Sequence, residues 1–386
     1  MRWLADFEEI RRGRTTDVYF QRTKKILKSL KKDPIVVAEF SAKTLPFDYN
    51  WAIFTGLNEV IELLKGSNLN LYALSEGSIF YQDEPVMMIE GRYSDFGVLE
   101  TALLGLICQP SGVATMAARC RIAARDRVLL SFGARRMHPV ISPMIERNAY
   151  IGGCDGVSTI LAAERLKIKP SGTIPHSLVL ITGSLAEALK AFDKKIDSKI
   201  KRIALIDTFG DEKSEAITAA QTLGRKLYGV RFDTPRSRRG DLKAIIKEVR
   251  WELDIRGYQW VKIFASGGID EDSIKELNEV CDGYGIGTIL SNARVIDFAM
   301  DIVEISKKPI AKRGKRSGKK GIFFCKICGM SKVASFGSTQ KCYCNKKMNQ
   351  MIKLHLKKGK KTFKRYPSER KLRSFVASQL AGRQGV

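Results

Sequence analysis

The sequence predicts an α/β protein whose centre is an irregular barrel of the TIM type, preceded by a mixed α/β region and followed by a small metal-binding segment. Three observations lead to this fold class. Apolar strand-like segments alternate with amphipathic helical segments through the middle of the 386 residues. Glycine and charged residues follow the strand-like segments, and four cysteines cluster near the C-terminus. Such alternation is typical of the βα units that build a parallel sheet.

The N-terminal region mixes short strands with helices. Ile35–Phe40 and Pro85–Glu90 have the apolar composition of strands, and Trp51–Leu64 has helical apolar spacing. A long helical stretch follows from about Gly97 to Arg125, with a predicted interruption at 109–112, where proline and glycine occur together. We therefore predict an N-terminal α/β domain over residues 1–110, with part of the long helical region bridging to the barrel.

The middle of the chain repeats a strand and a helix roughly every 25–30 residues, the length of one βα unit. Six segments are predicted as strands: Val128–Phe132, Ser177–Thr182, Arg202–Asp207, Gly229–Asp233, Val261–Ala265 and Gly283–Ile286. Five are predicted as helices: Gly156–Leu166, Ser184–Lys194, Lys213–Leu227, Lys243–Leu253 and Glu271–Val280. An open doubly wound sheet also fits this rhythm. Polar residues after so many strands favour a barrel over residues 111–306, closed by a helix from Ser291 to about Ile305.

The net charge of +26 is concentrated in the C-terminal tail. Residues 307–386 contain 24 Lys and Arg residues and one acid, Glu369, so the tail accounts for +23 and the rest of the chain for +3. The basic, glycine-rich segment Lys312–Gly321 predicts a linker over residues 307–321. A basic tail attracts polyanions, so contact with nucleic acid and a simple solvated extension are equally compatible with it.

The sequence also predicts the compartment. No apolar run approaches the roughly 20 residues that a membrane span requires. The N-terminus carries Asp6, Glu8 and Glu9 rather than a long apolar stretch, which argues against a secretory signal. We therefore expect a cytoplasmic protein that does not contact a membrane.

The cysteines fall into two groups. Four are scattered in apolar or small-residue contexts and are expected to be reduced core residues: Cys108, Cys120, Cys154 and Cys281. The other four form two close pairs separated by thirteen residues: Cys325, Cys328, Cys342 and Cys344. Four thiolates at this spacing complete a tetrahedral zinc site, and zinc is favoured over disulfides in a cytosolic chain. We predict a structural zinc ion in a zinc-knuckle-like domain with a basic tail, residues 322–386.

Two glycine-rich turns follow the last two predicted strands, Phe264–Asp270 and Tyr284–Thr288. Glycine lets backbone N–H groups approach phosphate oxygens, and the N-terminus of a following helix favours negative charge. In succession on neighbouring strands, the turns resemble the phosphate-binding position of an α/β barrel, which we favour over plain turn chemistry.

A histidine and a pair of arginines are the other candidate functional residues. His176 lies in the segment Ser171–Ser177, whose Gly, Thr, Pro and Ser residues suggest a shaped loop over a site, although a lone histidine is often structural. Arg135 and Arg136 follow a predicted strand, where they are suited to bind a carboxylate or phosphate by bidentate hydrogen bonds. Their spacing is equally compatible with a pair of surface arginines.

Ordered motifs resemble those of nicotinate phosphoribosyltransferases, members of the type II phosphoribosyltransferases. In the N-terminal half they are Thr15–Phe20, Glu39–Pro46, Thr55–Leu57, Glu84–Val86, Ile89–Gly91 and Leu99–Leu104. They continue as Phe132–Arg136, Gly152–Asp155, Gly172–Ser177, Val230–Thr234, Ala265–Gly268 and Gly285–Thr288. The resemblance covers about Arg11 to Ile305 and departs from the family pattern at Thr234–Gly240, where an Arg236, Arg238 and Arg239 cluster replaces a short turn. Some archaeal members carry a comparable C-terminal knuckle.

The resemblance implies a fold and an assembly. The fold is an irregular α/β barrel joined to an N-terminal α/β sandwich-like domain. The assembly is a homodimer, or a higher oligomer of dimers, with active sites shared between subunits. In that arrangement Tyr19 stacks on the pyridine ring from the neighbouring subunit.

The resemblance also implies the substrates and the residues that bind them. Nicotinate reacts with phosphoribosyl diphosphate to give nicotinate mononucleotide and diphosphate, in NAD biosynthesis and salvage. Arg135 pairs with the nicotinate carboxylate, with Thr173 and Ser177 nearby. Arg231 and Asp233 face the ribose and diphosphate, and Asp207 contacts ribose hydroxyls or water bound to magnesium. The 5′-phosphate is held by Ser266, Gly267, Gly268, Gly285, Gly287 and Thr288.

The resemblance further implies that ATP is a co-substrate and that His176 carries a phosphoryl group during catalysis. Two related activities, quinolinate and nicotinamide phosphoribosyl transfer, stay open as alternatives. The Arg135–Arg136 pair favours an acid over an amide substrate. A nucleic-acid-binding protein that uses its basic zinc tail is an alternative of a different class, and His176, Arg231 and Asp233 together argue against it.

Overall fold

A computed structural model describes residues 3–381, which form two compact units. The first unit comprises 3–115 and 294–376, and the second comprises 116–293 and 377–381. The helices are α1 (Phe7–Arg11), α2 (Val18–Ser29), α3 (Leu57–Leu64), α4 (Tyr93–Phe96), α5 (Glu100–Ala124), α6 (Ser142–Gly152), α7 (Ile160–Leu166), α8 (His176–Thr182), α9 (Leu185–Lys195), α10 (Glu212–Leu223), α11 (Arg236–Arg239), α12 (Leu242–Ile255), α13 (Glu271–Leu277), α14 (Thr288–Ser291) and α15 (Glu369–Leu380).

The strands are β1 (Ile35–Ala42), β2 (Ala52–Ile53), β3 (Leu69–Ala73), β4 (Ile79–Phe80), β5 (Pro85–Arg92), β6 (Val128–Ser131), β7 (Gly156–Val157), β8 (Arg202–Leu205), β9 (Leu227–Phe232), β10 (Lys262–Ala265), β11 (Gly283–Ile286), β12 (Phe298–Ile305), β13 (Lys308–Pro309), β14 (Lys320–Phe324), β15 (Ser331–Ser335), β16 (Asn349–Gln350), β17 (Lys353–Lys357) and β18 (Lys360–Lys361). Short 3-10 turns lie at Pro46–Asp48, Gly97–Leu99, Ala134–Arg136, Pro139–Ile141 and Gly224–Lys226.

The first unit is built on a seven-stranded antiparallel sheet in the order β13-β12-β1-β5-β3-β17-β18. Strand β1 is buried along nearly its whole length because β12 and β5 flank it on both sides. The predicted helix from Ser291 to about Ile305 is wrong, because Phe298–Ile305 forms the strand β12. Its apolar residues fit either period, and pairing with β1, more than 250 residues away in sequence, selects the strand.

Helix α5 is continuous through Pro110, so the predicted interruption at 109–112 is wrong. Proline removes the hydrogen bond to the carbonyl of Leu106, four residues earlier. The backbone of Gly56, whose φ is +92°, packs against that carbonyl. A side chain at this position would overlap the carbonyl oxygen, so the close approach requires glycine. The helical stretch Tyr93–Ala124 is long and apolar enough to span a membrane, but half of its most apolar window is buried in the protein. A largely buried core helix passes the same test.

The second unit holds a six-stranded, wholly parallel sheet in the order β7-β6-β11-β10-β9-β8. This is the cyclic order of an α/β barrel, opened between β7 and β8. Within residues 3–381 these two strands do not pair. The mixed α/β fold is confirmed, and the predicted irregular barrel is a curled half-barrel.

The opening lies where the sequence predicted a strand at Ser177–Thr182. That segment is helix α8, which begins after Pro175 and ends at Gly183, a residue in the left-handed conformation. Leu180 and Ile181 of this helix are 55% and 84% exposed, so the apolar run that suggested a buried strand is only partly buried. The predicted helix Gly156–Leu166 is also divided, because its first two residues form β7 and the helix α7 begins at Ile160.

The C-terminal segment is tied to the first unit. Strand β17 pairs with β3, and Tyr366 donates to Glu76 Oε2 across 2.8 Å. Strands β15, β14 and β16 form a separate three-stranded sheet beside the four clustered cysteines. The predicted domain boundaries at residues 110, 306 and 321 stay a prediction.

Candidate active site

Charged side chains meet at the carboxyl ends of β8 and β9 in the second unit. Asp207 follows β8, Arg231 is the penultimate residue of β9, and Asp233 follows that strand. His176, the first residue of α8, places its Nε2 atom 3.8 Å from Oδ1 of Asp207 and 3.8 Å from Oδ2 of Asp233. The carboxyl ends of parallel strands face the same edge of the sheet, which is why residues far apart in sequence converge there.

Arg231 is the most highly connected residue of this cluster. Its Nε donates to Oγ1 of Thr173 across 2.9 Å, and its Nη1 donates to Oγ of Ser266 across 2.8 Å. The same Nη1 lies 3.1 Å from Oδ2 of Asp233. Ser266 in turn lies 2.9 Å from Oδ1 of Asp233. The guanidinium plane is therefore fixed by three neighbours, which preorganises its positive charge.

Asp207 is a buried carboxylate, with a side chain only 4% exposed. Its pKa is raised to about 6, chiefly by burial; the charge of His176 opposes this rise, and the charge of Asp233 contributes to it. Its Oδ2 accepts the backbone N–H of Asp233 across 3.0 Å. Its Oδ1 is buried and has no hydrogen-bond partner in the described part of the chain. That oxygen is available to a ligand or to a metal-bound water.

Thr208 and Glu215 orient His176, and the sequence did not single them out. The ring Nδ1 of His176 lies 3.0 Å from Oγ1 of Thr208. Glu215, on α10, accepts the backbone N–H groups of Thr208, Phe209 and Gly210 at 2.8–3.0 Å. Because Nδ1 is engaged by a hydroxyl, the ring presents Nε2 to the two aspartates. A glutamate seven residues after a threonine carries no local signal of this role.

An open cavity of about 500 Å³ adjoins this cluster. It is lined by Phe132, Ala134, Arg135, Ser158, Thr159, Ser171, Gly172, Thr173, Ile174, Pro175, His176, Ser177, Arg231 and Asp233. The structure thus brings together the predicted residues Arg135, Thr173, His176, Ser177, Arg231 and Asp233. Arg135 is exposed on a 3-10 turn at the rim, whereas Arg136, also exposed, is outside the lining.

A fully buried glutamate fixes the cavity wall opposite the strand ends. Glu146, on α6, accepts the backbone N–H and the hydroxyl of Ser158, both across 2.7 Å. It also accepts the backbone N–H of Thr159 across 3.0 Å, together with the hydroxyl of that residue. Sequence reasoning missed Glu146, because a helical glutamate is ordinarily a surface residue.

The predicted phosphate-binding turns lie after the neighbouring parallel strands β10 and β11. Gly267 and Gly268 are exposed and have φ of +79° and +75°, a region that favours glycine. Gly287 and the exposed Thr288 begin the short α14. Gly285 differs, because it is buried within β11 and a Cβ there would overlap the Phe132 ring, which makes close packing sufficient to account for it. The phosphate role of these residues stays a prediction.

Two other predicted groups are not among the residues that line this cavity. Tyr19 belongs to the first unit, is 55% exposed on α2, and has its ring 4.2 Å from that of Phe20. Of the arginine cluster after β9, Arg239 donates from Nη2 to the backbone carbonyls of Thr234, across 3.1 Å, and Gly267. It therefore braces the glycine turn, while the side chain of Arg236 lies outside the described residues.

The four clustered cysteines form a candidate metal site in the first unit. Their sulfur atoms all lie within 4.8 Å of one another. Two backbone hydrogen bonds shape the first knuckle, from Cys325 N to Met330 O and from Gly329 N to Cys325 O, at 2.9 and 3.0 Å. Cys325 and Cys342 pack with Phe323 and Met348 in a small core. The arrangement has the ligand type and number of a structural zinc site.

A half-barrel with a cavity and a fixed arginine–aspartate cluster at its strand ends is the arrangement of an α/β enzyme with its site at the carboxyl ends of the strands. Two sequence profiles of quinolinate phosphoribosyl transferase match the chain, the N-terminal domain over residues 17–111 and the C-terminal domain over residues 113–301. A crystal structure of nicotinate-nucleotide pyrophosphorylase from Pyrococcus furiosus is 48% identical, with 98% of each chain covered and a TM-score of 0.96. The chain belongs to this family, the type II phosphoribosyltransferases.

Curated relatives and a further structure agree with this assignment. Nicotinate phosphoribosyltransferase of Bacillus subtilis is 30% identical over 295 residues, which are 67% of this chain and 59% of that protein. The pncB2 nicotinate phosphoribosyltransferase of Mycobacterium tuberculosis is 32% identical and covered over 51% of its length. The chain thus spans about half to three fifths of these relatives. Human nicotinic acid phosphoribosyltransferase, at 18% identity and a TM-score of 0.77, shares the fold over 95% of this chain and 93% of that one.

Proposed function

We propose that the chain is a nicotinate phosphoribosyltransferase, which forms nicotinate mononucleotide and diphosphate in NAD biosynthesis and salvage. One observation carries the proposal: the exposed cation Arg135 lies on the same cavity as the fixed Arg231, His176 and Asp233. A carboxylate of the ring acid pairs with Arg135 at the rim. The phosphoribosyl group then extends toward the strand ends, with its 5′-phosphate at Gly267, Gly268, Gly287 and Thr288.

In the proposed reaction the pyridine nitrogen attacks the anomeric carbon of phosphoribosyl diphosphate. The new N–C bond forms as the C–O bond to diphosphate breaks, and the leaving oxygen takes the electron pair. Arg231, held by Thr173 and Ser266, is positioned to neutralise charge on that oxygen without reorganising. Holding ring and sugar in line supplies the remainder of the rate enhancement.

Magnesium fits the carboxylates at this end of the sheet. The buried Oδ1 of Asp207 accepts no hydrogen bond within residues 3–381, and oxygen ligands are those that magnesium prefers. Asp207 and Asp233 would hold the ion directly or through water. Its chemistry would be to neutralise charge on the diphosphate.

ATP is proposed as a co-substrate. The imidazole of His176 would take the γ-phosphoryl group as the bond to the ADP oxygen breaks, and it is 40% exposed on the cavity. The phosphohistidine would then improve binding of phosphoribosyl diphosphate. His176→Ala is expected to abolish ATP stimulation and leave a slow ATP-independent rate, and full ATP stimulation in this variant would refute the coupling.

The choice of acid substrate separates the main alternatives. Quinolinate carries two carboxylates, and the family profiles are those of quinolinate enzymes, so this acid is the second candidate. The cavity is lined by two arginines, of which Arg231 is assigned above to the diphosphate. One unengaged cation at the rim favours a monocarboxylate, and an amide such as nicotinamide offers Arg135 no charge.

The decisive experiment measures consumption of nicotinate, quinolinate and nicotinamide side by side with phosphoribosyl diphosphate and Mg²⁺. We expect nicotinate to be used with the highest kcat/KM. Arg135→Leu should raise KM for nicotinate about 10- to 100-fold, because a charge-assisted hydrogen bond contributes about 1.5–3 kcal/mol. Arg136→Leu is the matched control and should change KM less than about threefold, within the scatter of surface changes. Preferred use of quinolinate would overturn the proposal.

A cytoplasmic homodimer, or an oligomer of dimers, with shared active sites is part of the proposal, with Tyr19 reaching the ring from the partner subunit. Mixed oligomers test it. Equal mixing and refolding of inactive Tyr19→Ala and Arg231→Ala chains should restore about one quarter of the wild-type activity, since half of the dimers are mixed and each has one intact site. No restored activity would indicate that each site is formed within one chain.

A further inference from the structure

Two sets of lysines stand out among the basic residues of the tail. In the first set, lysines are paired with acids of the first unit: Lys312 and Lys315 with Asp301, Lys319 with Glu90, Lys320 with Glu39, and Lys361 with Glu62. Four acids face these five lysines, so most of their charge is balanced within the protein. These lysines therefore hold the C-terminal segment in place and contribute little to attracting a partner.

The second set surrounds the cysteine cluster. Lys326, Lys341, Lys346 and Lys347 are exposed, and in the part of the chain that the structure describes none of them forms an ion pair. Lys341 and Lys347 lie directly opposite each other in an antiparallel bridge. Like charges at opposed positions destabilise a β pair, and the sequence supplies no acid between residues 307 and 368 to relieve them. An anion bound between the two lysines would relieve this repulsion.

Apolar side chains are exposed among these lysines. Tyr343 lies between Cys342 and Cys344 and is 92% exposed, and Ile327 in the other knuckle is 73% exposed. The turn that carries Tyr343 is closed by hydrogen bonds from Cys342 N to Lys346 O and from Asn345 N to Cys342 O, at 2.9 and 2.8 Å. The ring is thus presented to solvent on a defined turn rather than packed in a core.

We propose that this knuckle surface, formed by Lys326, Ile327, Lys341, Tyr343, Lys346 and Lys347, binds single-stranded nucleic acid. Unpaired lysines neutralise backbone phosphates, and an exposed aromatic ring stacks on an unpaired base. Bases in a duplex are already stacked and unavailable to Tyr343, so the aromatic ring favours a single strand. These six residues include no arginine, asparagine or glutamine to recognise a base by paired hydrogen bonds, so we expect the surface to bind many sequences.

The test uses the full chain with zinc bound and a fluorescently labelled single strand of roughly 15 nucleotides, within the usual site size of such surfaces. Fluorescence anisotropy measures the affinity of the chain for an oligouridine RNA, an oligothymidine DNA and a DNA duplex of the same length. We expect both single strands to bind more tightly than the duplex. RNA binding stronger than DNA binding would assign the surface to RNA, and equal binding would assign it to single strands of either kind.

Three variants separate charge from stacking. The triple change Lys341→Gln, Lys346→Gln and Lys347→Gln should weaken binding and lower the slope of log K against log salt by about 2, at roughly 0.7 per phosphate contact. Tyr343→Ala should weaken binding about tenfold or more through lost stacking. Tyr343→Phe keeps the ring and should retain wild-type affinity, and zinc content confirms that each variant keeps its knuckles.

The control removes the same charge elsewhere. Lys24→Gln, Lys25→Gln and Lys28→Gln, exposed on α2, should change affinity less than about twofold. The proposal is overturned if the wild-type chain binds no single strand, if both triple variants weaken binding equally, or if Tyr343→Ala binds as the wild type does. Binding to anionic lipid vesicles in preference to the oligonucleotide would also overturn it. Phosphoribosyl transfer, measured in parallel, is expected to be unchanged, so this test is independent of the enzymatic proposal.

Discussion

The backbone N–H of Asp233 donates to Oδ2 of Asp207 across 3.0 Å, and this bond ties the residues that follow two adjacent strands, β8 and β9. It engages one oxygen of Asp207. The other, Oδ1, is buried, accepts no hydrogen bond among residues 3–381, and has only Nε2 of His176 near it, at 3.8 Å. A buried carboxylate with one unengaged oxygen is costly unless it is protonated or binds a cation. Both outcomes have measurable consequences.

Asp207 should make activity depend on pH in the acid range. Burial raises its pKa to about 6, so the carboxylate that would bind magnesium is largely protonated below that pH. We expect kcat/KM for phosphoribosyl diphosphate to fall as pH decreases through about 6, with a lower midpoint at saturating Mg²⁺. Asp207→Asn should abolish most activity, whereas Asp272→Asn, at a 93% exposed side chain, should retain the profile. A flat wild-type profile between pH 5 and 7 would contradict this role.

The same carboxyl should affect stability with the opposite sign. Its pKa in the folded protein lies above the unfolded value of 3.8, so folding retains a proton that the unfolded chain releases. The contribution of Asp207 to stability is therefore present at low pH and is lost as pH rises from about 4 to about 6. Asp207→Asn should flatten this part of the pH dependence of Tm, and a Tm dependence identical to that of the wild type would argue against the raised pKa.

Gly267 should tolerate no side chain, because of its backbone conformation and its neighbour. At φ +79°, a Cβ would lie 2.9 Å from Oδ1 of Asp233. Gly267→Ala should therefore displace the aspartate or the turn and lower kcat/KM for phosphoribosyl diphosphate by tenfold or more. Gly257→Ala is the matched control, since Gly257 has φ +78° and open space around it. It should cost about 1–2 kcal/mol of stability without changing kcat/KM. Equal kinetic effects of the two changes would exclude a role specific to the turn.

The strand ends were predictable from the sequence because the signal is local. The strands β8, β9, β10 and β11 each carry a short apolar run followed by glycine or a charged residue, and the structure places these runs side by side. The gap between β7 and β8, which leaves the sheet a half-barrel, was not predictable. Whether Ser177–Thr182 forms a strand depends on Pro175 and Gly183 at its ends and on what covers it, not on its own apolar composition.

The residues that support the site were not predictable for a related reason. Arg231 and Asp233 stand in a recognisable strand-end pattern, but Glu146 and Glu215 act on turns 12 and 5–7 residues away through buried hydrogen bonds. A glutamate in a helix looks the same in sequence whether it faces solvent or accepts four hydrogen bonds. The secondary structure of Phe298–Ile305 also depends on a distant partner. Its apolar spacing permits a helix, but pairing with β1 makes it the strand β12.

Glu146 should be essential for the shape of the cavity wall. Glutamine keeps one acceptor oxygen but places an NH2 group against the donors of the other residue of the Ser158–Thr159 pair. The unpaired donors should lower the free energy of unfolding by about 3 kcal/mol. We expect Glu146→Gln to lower Tm by roughly 5–10 °C and to raise KM for the ring acid. Glu164→Gln, at an exposed position on α7, removes the same charge and should change neither quantity. A lower Tm with unchanged KM would limit Glu146 to a structural role.

Zinc should be required for the order of the knuckle segment and not for the seven-stranded sheet. The four sulfur atoms lie within 4.8 Å of one another, so without a metal their thiolates repel or must be protonated. We expect one zinc ion per chain by metal analysis, and its loss in Cys328→Ser or on chelation. Hydrogen exchange at the amides of Cys325, Gly329 and Cys342 should then accelerate, because the turns that protect them depend on the metal. Amides of β1 should stay protected, because both of its edges are paired within the sheet.

Cys108→Ser is the control, because the Cys108 thiol lies outside the cluster, and this variant should keep the metal. An unchanged zinc content in Cys328→Ser would refute the four-cysteine site.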